Sequence, residues 1–304
     1  MMLIVAIVFI GSSCQAEKAP IPSPTHTIPS PTPTTSVLTP QQITKLGEET
    51  TVFITGRGEP GSGIIIDRQD NTYYVLTAAH VVGIEPEPDE PPYKVRTKDN
   101  QEHDVARQDN YQKNVQKFRE SIDLAVIQFT AEQGEEYEVA PLAKSIFTGM
   151  SVYAFGWTNC LGGKQQQFQK TEGQICKINP DSKNGWDVSY TNNIIEGVSG
   201  GPVFDSTGHV VAIQAGQGGN IGPTSDNTCN SLPIQPDSKF NYGLGVPIRE
   251  NFEMLQSKLP QRLEIEIQSN TFSQEVSMTN IKCREKSPIT QCPPILPPGR
   301  PPCN

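Results

Sequence analysis

The chain has 304 residues, of which 19% are charged, and its formal net charge is −9. This length suits one large domain or two small ones with appendages. The acidic balance excludes a basic nucleic-acid binder, because phosphate contacts need clustered Lys and Arg. The acidity is more simply explained as a contribution to solubility.

The chain begins with an uncharged segment that contains an apolar run over residues 3–10. Its length fits the core of an export signal and is too short to span a bilayer. Small residues then precede Cys14, which resembles the cleavage site of bacterial lipoproteins, although Gly11 stands where Leu is usual. Cleavage after Ala16 is the alternative. Residues 1–16 therefore predict an extracytoplasmic protein (periplasmic, surface-bound or secreted), either free or lipid-anchored through Cys14.

Two further segments look non-globular. Residues 17–40 are rich in Pro, Ser and Thr and cannot build a core, so we expect an extended spacer that holds a domain away from a membrane or wall. Residues 266–304 end in a Pro- and Cys-rich run and are expected to form a tail pinned by disulfides. The folded domain is predicted over residues 41–265.

This central part consists of short runs rich in β-branched and aromatic residues, with turn residues between them. Many short strands at this spacing predict an all-β sandwich or barrel. One helix is predicted over Pro247–Leu259, because Pro suits a first helical position and the apolar residues that follow share one face. The predicted strands are Thr51–Thr55, Gly63–Asp67, Tyr73–Thr77, Tyr93–Thr97, Leu124–Phe129, Ser151–Phe155, Gly173–Ile178, Trp186–Tyr190, Pro202–Phe204, Val210–Gln214 and Tyr242–Val246.

The seven cysteines favour disulfides over metal binding. Loss or lipidation of Cys14 leaves an even number, which in an exported protein indicates disulfides. The sequence contains no CxxC pair, so a zinc site has little support. We expect no metal and no cofactor. Cys160 and Cys176 flank a predicted loop between two strands, which predicts a disulfide that would contribute roughly 3 kcal/mol. The alternative is that each has a separate partner, the tail cysteines among them.

Three motifs carry the parts that peptide cleavage by serine needs: a hydroxyl nucleophile, an imidazole base, an orienting carboxylate and N–H donors for the oxyanion. His80 follows a buried strand in YVLTAAHVV. Asp123 stands at the head of an apolar strand in SIDLAVI. Ser199 lies between glycines in EGVSGGPVF. Each residue alone has an ordinary structural explanation, but together and in this order they predict a catalytic triad.

In their order along the chain, TAAH, DLAV and GxSGGPV resemble the chymotrypsin-like (trypsin-like) serine peptidases over roughly residues 45 to 262. The strings PGSGIII, EGQI and NYGLGVPI resemble the bacterial trypsin-like peptidase domain in particular. The resemblance implies two six-stranded antiparallel β-barrels with a C-terminal helix and the site between the barrels. His80 and Asp123 would belong to the first barrel and Ser199 to the second. The N–H groups of Gly197 and Ser199 would be the oxyanion donors.

The sequence departs from the digestive relatives at two places. Val198 stands where those relatives have an Asp that pairs with a newly cut N-terminus, so we expect activity without such a cut. Asn193 occupies the floor of the specificity pocket, where an Asp selects Arg or Lys. Gln214 stands where glutamate-specific relatives place a His, and with Gly216 it would line the pocket wall. Neither specificity determinant is present in standard form.

The leading interpretation is a serine endopeptidase that cleaves proteins or peptides through an acyl-enzyme. The alternative is a catalytically silent surface binding module on the same fold. We expect no nucleic-acid partner, and membrane contact only through an N-terminal lipid.

Overall fold

The described part of the chain begins with a helix that sequence reasoning did not predict. Helix α1 spans Pro40–Thr50, and Thr39 caps it in a capping box with Gln42. The Leu38 N–H donates to the Ser206 carbonyl at 2.9 Å, so the last residues of the predicted spacer are part of the fold. The computed structural model describes residues 36–143, 145–160, 165–180, 182–194, 197–218 and 242–260, with the backbone alone at 159, 160 and 165. The predicted signal segment with Cys14, most of the spacer and the predicted tail lie outside these residues.

The first barrel contains seven antiparallel strands in the order β5-β4-β1-β2-β3-β7-β6. The resemblance implied six. The short strands β5 and β6 were not predicted, while β1 has its predicted bounds. A short helix α2, Tyr111–Asn114, precedes β6. The strands are β1 Thr51–Thr55, β2 Gly61–Gln69, β3 Thr72–Thr77, β4 Tyr93–Arg96, β5 Glu102–Ala106, β6 Val115–Lys117 and β7 Ala125–Thr130.

The second barrel is closed and contains six antiparallel strands in the order β10-β13-β12-β11-β8-β9. Helix α3, Ile248–Gln256, follows it; Pro247 is its N-cap and not its first residue, so the helix is shorter than predicted at both ends. The strands are β8 Ser151–Cys160, β9 Gln165–Ile178, β10 Val188–Tyr190, β11 Pro202–Asp205, β12 Val210–Gly218 and β13 Tyr242–Pro247.

The predicted fold class, two antiparallel β-barrels with a C-terminal helix, is confirmed. One apolar cluster joins the barrels: it includes Leu76 and Leu124 of the first and Phe155 and Phe204 of the second. Burial of such side chains stabilises by about 1.5–3 kcal/mol each, so this cluster fixes the barrels against each other. Within the described residues, no helix is both long and apolar enough to cross a bilayer.

The long hairpin of β8 and β9 corrects the predicted disulfide. Cys160 lies opposite Gln165 at the hairpin end, whereas Cys176 lies eleven residues further along β9. That is about 35 Å of extended strand, and a disulfide needs Cα atoms within about 7 Å. Cys176 is disulfide-bonded, but this register contradicts Cys160 as its partner. The prediction was wrong because it took residues 161–175 for a loop, and they are mostly strand.

Candidate active site

His80 is presented by a tight turn at the end of β3. The strand ends at Thr77, and a 3₁₀ turn follows over Ala79–Val81. Ala78 and Val82 are fully buried and anchor both ends of this turn in the first barrel. The His80 side chain between them keeps 46% of its surface exposed. The imidazole is thus held at its base and open to the cleft.

Asp123 faces His80 from the segment that leads into β7, and its side chain is only 9% exposed. Its Oδ1 accepts the His80 backbone N–H at 2.9 Å, and its Oδ2 lies 2.8 Å from His80 Nδ1. The indole Nε1–H of Trp186 also donates to Oδ2, at 3.1 Å. A carboxylate placed in this way favours the tautomer with the proton on Nδ1, which leaves the Nε2 lone pair free to accept a proton.

The environment of Asp123 keeps its carboxylate ionised. Burial by itself raises the pKa of Asp123, but the hydrogen bond and charge of the His80 ring, the His80 N–H and the Trp186 indole all lower it. The net pKa lies below the ordinary value, so the group carries a negative charge at neutral pH. A fixed negative charge here stabilises an imidazolium at His80 when one forms.

Ser199 lies in a turn that the glycines around it make possible. Gly197 and Gly200 have positive φ angles, 98° and 84°, which residues with a side chain rarely adopt. Gly200 packs against the segment leading to His80, because a Cβ there would lie 3.1 Å from the Ala78 nitrogen. The structure thereby brings the Ser199 turn beside the His80 turn. No hydrogen bond joins Ser199 Oγ to His80 within the described residues, and such bonds are often long before substrate binds.

The two predicted oxyanion donors belong to the same turn. The Val198 carbonyl accepts the Gly201 N–H at 3.0 Å. Since the C=O and N–H of a trans peptide point in opposite directions, the Ser199 N–H is directed away from Gly201. Neither this N–H nor that of Gly197 donates a hydrogen bond within the part of the chain described. Both N–H groups are therefore without an acceptor among these residues.

The family model for the trypsin-like peptidase domain matches residues 61–213, about half of the chain. The chain belongs to this family. Among solved structures, it is similar to Rv3671c of M. tuberculosis H37Rv, a serine-to-alanine mutant in an inactive form: 18% identity over 71% of this chain and 89% of that chain, with a TM-score of 0.47. No curated protein matches the sequence. Membership of a peptidase family indicates protein substrates in general.

In this trypsin-like peptidase domain, the predicted specificity residues are uncharged. Asn193 is half-buried, and its side chain forms no hydrogen bond within the described residues. Gln214 is buried, and its amide is used internally: Oε1 accepts the hydroxyl of Tyr190, and Nε2 donates to the Gly216 carbonyl at 2.5 Å. Burial raises the pKa of Tyr190, so its hydroxyl stays protonated and donates. Both polar atoms of the buried Gln214 amide are thus engaged within the domain.

A cleft of about 540 Å³ opens beside His80 and Asp123. His80, Asp123, Trp186 and Ala215 line it together with residues 117–120. This volume is in the usual range for sites that bind a small molecule or a few side chains. Within the described residues, no group of three or more His, Cys, Asp and Glu is arranged to hold a metal ion.

Sequence reasoning missed Ser62, a fully buried residue at the start of β2. Its N–H donates to the Ser199 carbonyl at 2.7 Å, and its Oγ donates to the Gly197 carbonyl at 3.2 Å while accepting the Trp157 N–H at 2.8 Å. Ser62 thus fixes both ends of the Ser199 turn from the opposite barrel. It lies in the string PGSGIII that carried the family resemblance, but nothing local in the sequence indicates a contact with a residue 135 positions away.

We expect Gly200→Ala to destabilise the fold far more than Gly149→Ala. Both glycines have positive φ, 84° and 87°, but a Cβ on Gly149 meets nothing within 4 Å, whereas one on Gly200 overlaps the Ser62 carbonyl and the Thr77 hydroxyl. The left-handed conformation costs about 1–2 kcal/mol in both variants, and the overlap adds about 1–3 kcal/mol at Gly200 alone. Denaturant unfolding measures the difference; equal losses would mean that the close approach at Gly200 does not exist.

Proposed function

We propose that this protein is a serine endopeptidase with His80, Asp123 and Ser199 as its catalytic triad. The observation that carries the proposal is the pairing of His80 Nδ1 with Asp123 Oδ2 at 2.8 Å, on an exposed imidazole beside the Ser199 turn. Membership of the trypsin-like peptidase family supports the same chemistry. The uncharged pocket residues give no electrostatic reason to select Lys, Arg or Glu in the substrate.

In the proposed mechanism, Ser199 Oγ attacks the carbonyl carbon of the peptide bond while His80 Nε2 takes the hydroxyl proton. The oxygen of the tetrahedral intermediate accepts the N–H groups of Gly197 and Ser199. Asp123 stabilises the imidazolium, which then gives its proton to the leaving amine as the C–N bond breaks. Water then attacks the carbonyl carbon of the acyl-enzyme while His80 Nε2 takes a proton from it, and the imidazolium returns this proton to Ser199 Oγ as the C–O bond to the serine breaks.

A fluorophosphonate probe tests the proposal without knowledge of the substrate. We expect Ser199 Oγ to form a bond with phosphorus as fluoride leaves and the proton passes to His80. Peptide mapping by mass spectrometry should find the probe on Ser199 in the folded protein and on no residue after denaturation. A folded chain that stays unlabelled at Ser199 would identify it as a silent binding module on the same fold.

We further propose that the protein acts outside the cytoplasm. The support is the uncharged apolar segment at residues 3–10 and the Cys14 context that resembles a lipoprotein cleavage site. Metabolic labelling with a fatty-acid analogue would separate lipid attachment at Cys14 from cleavage after Ala16.

A further inference from the structure

Trp186 donates the only side-chain hydrogen bond to Asp123, apart from that of His80, within the described residues. Its Nε1–H lies 3.1 Å from Oδ2, the same oxygen that faces His80 Nδ1. Trp186 belongs to the second barrel, where it lies two residues before β10, whereas Asp123 belongs to the first. The orientation of this carboxylate therefore depends on a contact that crosses between the barrels.

The turn that carries Trp186 also holds the backbone of Asp123. The carbonyl of Asn184 accepts the Asp123 N–H at 2.9 Å. Asn184 has a positive φ of 63°, which makes the turn tight. Asp187 closes it, because its Oδ1 accepts the N–H and the hydroxyl of Ser182 at 2.9 and 2.7 Å. One short segment, residues 182–187, thus forms hydrogen bonds with both the main chain and the carboxylate of Asp123.

Strand β12, beside this turn, has small residues where the indole of Trp186 packs. Ala215 on β12 lines the cleft but has no polar atom in its side chain to offer Asp123. The next residue, Gly216, lies under the ring of Trp186, since a Cβ there would come within 3.0 Å of three indole atoms. Packing of this half-buried ring on the glycine fixes the direction of its N–H toward Asp123.

We propose that Trp186 is a positioning residue of the triad, which orients the Asp123 carboxylate toward His80 through its indole N–H. With Oδ2 held by the indole, Oδ1 faces the His80 N–H and Oδ2 faces Nδ1. The expected effect of Trp186 on the reaction rate rests on the proposed function, whereas its hydrogen bond with Asp123 does not. The same hydrogen bond contributes to the lowered pKa of Asp123.

The chain supplies a control at Tyr153, a half-buried aromatic residue on β8 whose hydroxyl forms no hydrogen bond within the described residues. We expect Trp186→Phe to lower the maximal rate of Ser199 phosphonylation by a fluorophosphonate about tenfold, with little change in the half-saturating concentration of the probe. Tyr153→Phe should stay within about twofold of the unmodified chain, because the hydroxyl that it removes forms no hydrogen bond within the described residues.

A second readout does not depend on activity. The proton between His80 Nδ1 and Asp123 Oδ2 should give a far-downfield NMR resonance, which shifts or broadens in Trp186→Phe and not in Tyr153→Phe. If Trp186→Phe fails to fold, benzothienylalanine at position 186 keeps the ring shape and removes only the N–H. An unchanged maximal rate with an unchanged resonance, in either variant at position 186, would overturn the role of Trp186. A folded but unreactive unmodified chain would refute the proposed function, and the resonance alone would then decide the role of Trp186.

Discussion

Ser199→Ala is expected to abolish peptide hydrolysis and leave the fold intact. The substitution removes the nucleophilic Oγ, which forms no hydrogen bond within the described residues, and keeps the carbonyl that accepts the Ser62 N–H at 2.7 Å. Loss of a triad nucleophile lowers turnover on the order of 10⁴–10⁶-fold. Cleavage of an unstructured protein substrate, followed by gel or fluorescence, measures this loss.

Ser151→Ala is the matched control, since Ser151 is exposed at the start of β8 and far in sequence from the three motifs. It should cleave at the rate of the unmodified chain, and both variants should unfold at the same temperature. If Ser199→Ala cleaved as fast as Ser151→Ala, the peptidase assignment would be wrong.

Asp123→Asn is expected to lower turnover by about 10⁴-fold. An amide at this position can donate to His80 Nδ1, which favours the tautomer with the proton on Nε2. In that tautomer Nε2 cannot accept the proton of Ser199. Asp104→Asn is the control, because Asp104 is an exposed carboxylate paired with Arg107 on the surface. Its activity should not change; if Asp123→Asn were equally active, Asp123 would not belong to the triad.

The same variant has a predicted effect on the pH dependence of stability. The pKa of Asp123 in the folded chain is lowered, so the stability that its charge contributes is complete above the unfolded-state pKa of about 3.9. It is lost as the pH falls through the lower folded-state pKa. Asp123→Asn removes this group, so its free energy of unfolding should decline less steeply below about pH 4 than that of the unmodified chain. Denaturant titrations at several pH values measure the slope.

Sequence reasoning singled out His80, Asp123 and Ser199 because each stands in a distinctive local context. His80 and Asp123 stand at the ends of apolar strands, and Ser199 is flanked by the glycines that its turn needs. Helix α1 was not predicted but could have been, because Thr39 and Gln42 have the spacing of a capping box. What could not be predicted lies in contacts between distant segments. Trp186 meets Asp123 across 63 residues, and no local pattern encodes that pairing.

The presence of the strands was predicted more accurately than their lengths. The hairpin of β8 and β9 is longer than predicted because polar residues such as Gln165 and Gln169 continue its ladder, which hydrophobic alternation does not reveal. The main-chain hydrogen bonds of a sheet do not depend on side-chain polarity. That error led to the wrong disulfide partner for Cys176. It placed Cys160 and Cys176 at the two ends of a loop, whereas they lie at opposite ends of a hairpin.

Ser62 makes the geometry of the Ser199 turn depend on how the two barrels pack against each other. The carbonyls of Gly197 and Ser199 are both tied to this one residue of the first barrel. A separation of the barrels by the length of a single hydrogen bond would release both ties while each sheet stayed paired. Hydrolysis would then fail at denaturant concentrations or pressures that leave the β-structure intact, and the activity of the site would report the docking of the barrels before any spectroscopic sign of unfolding.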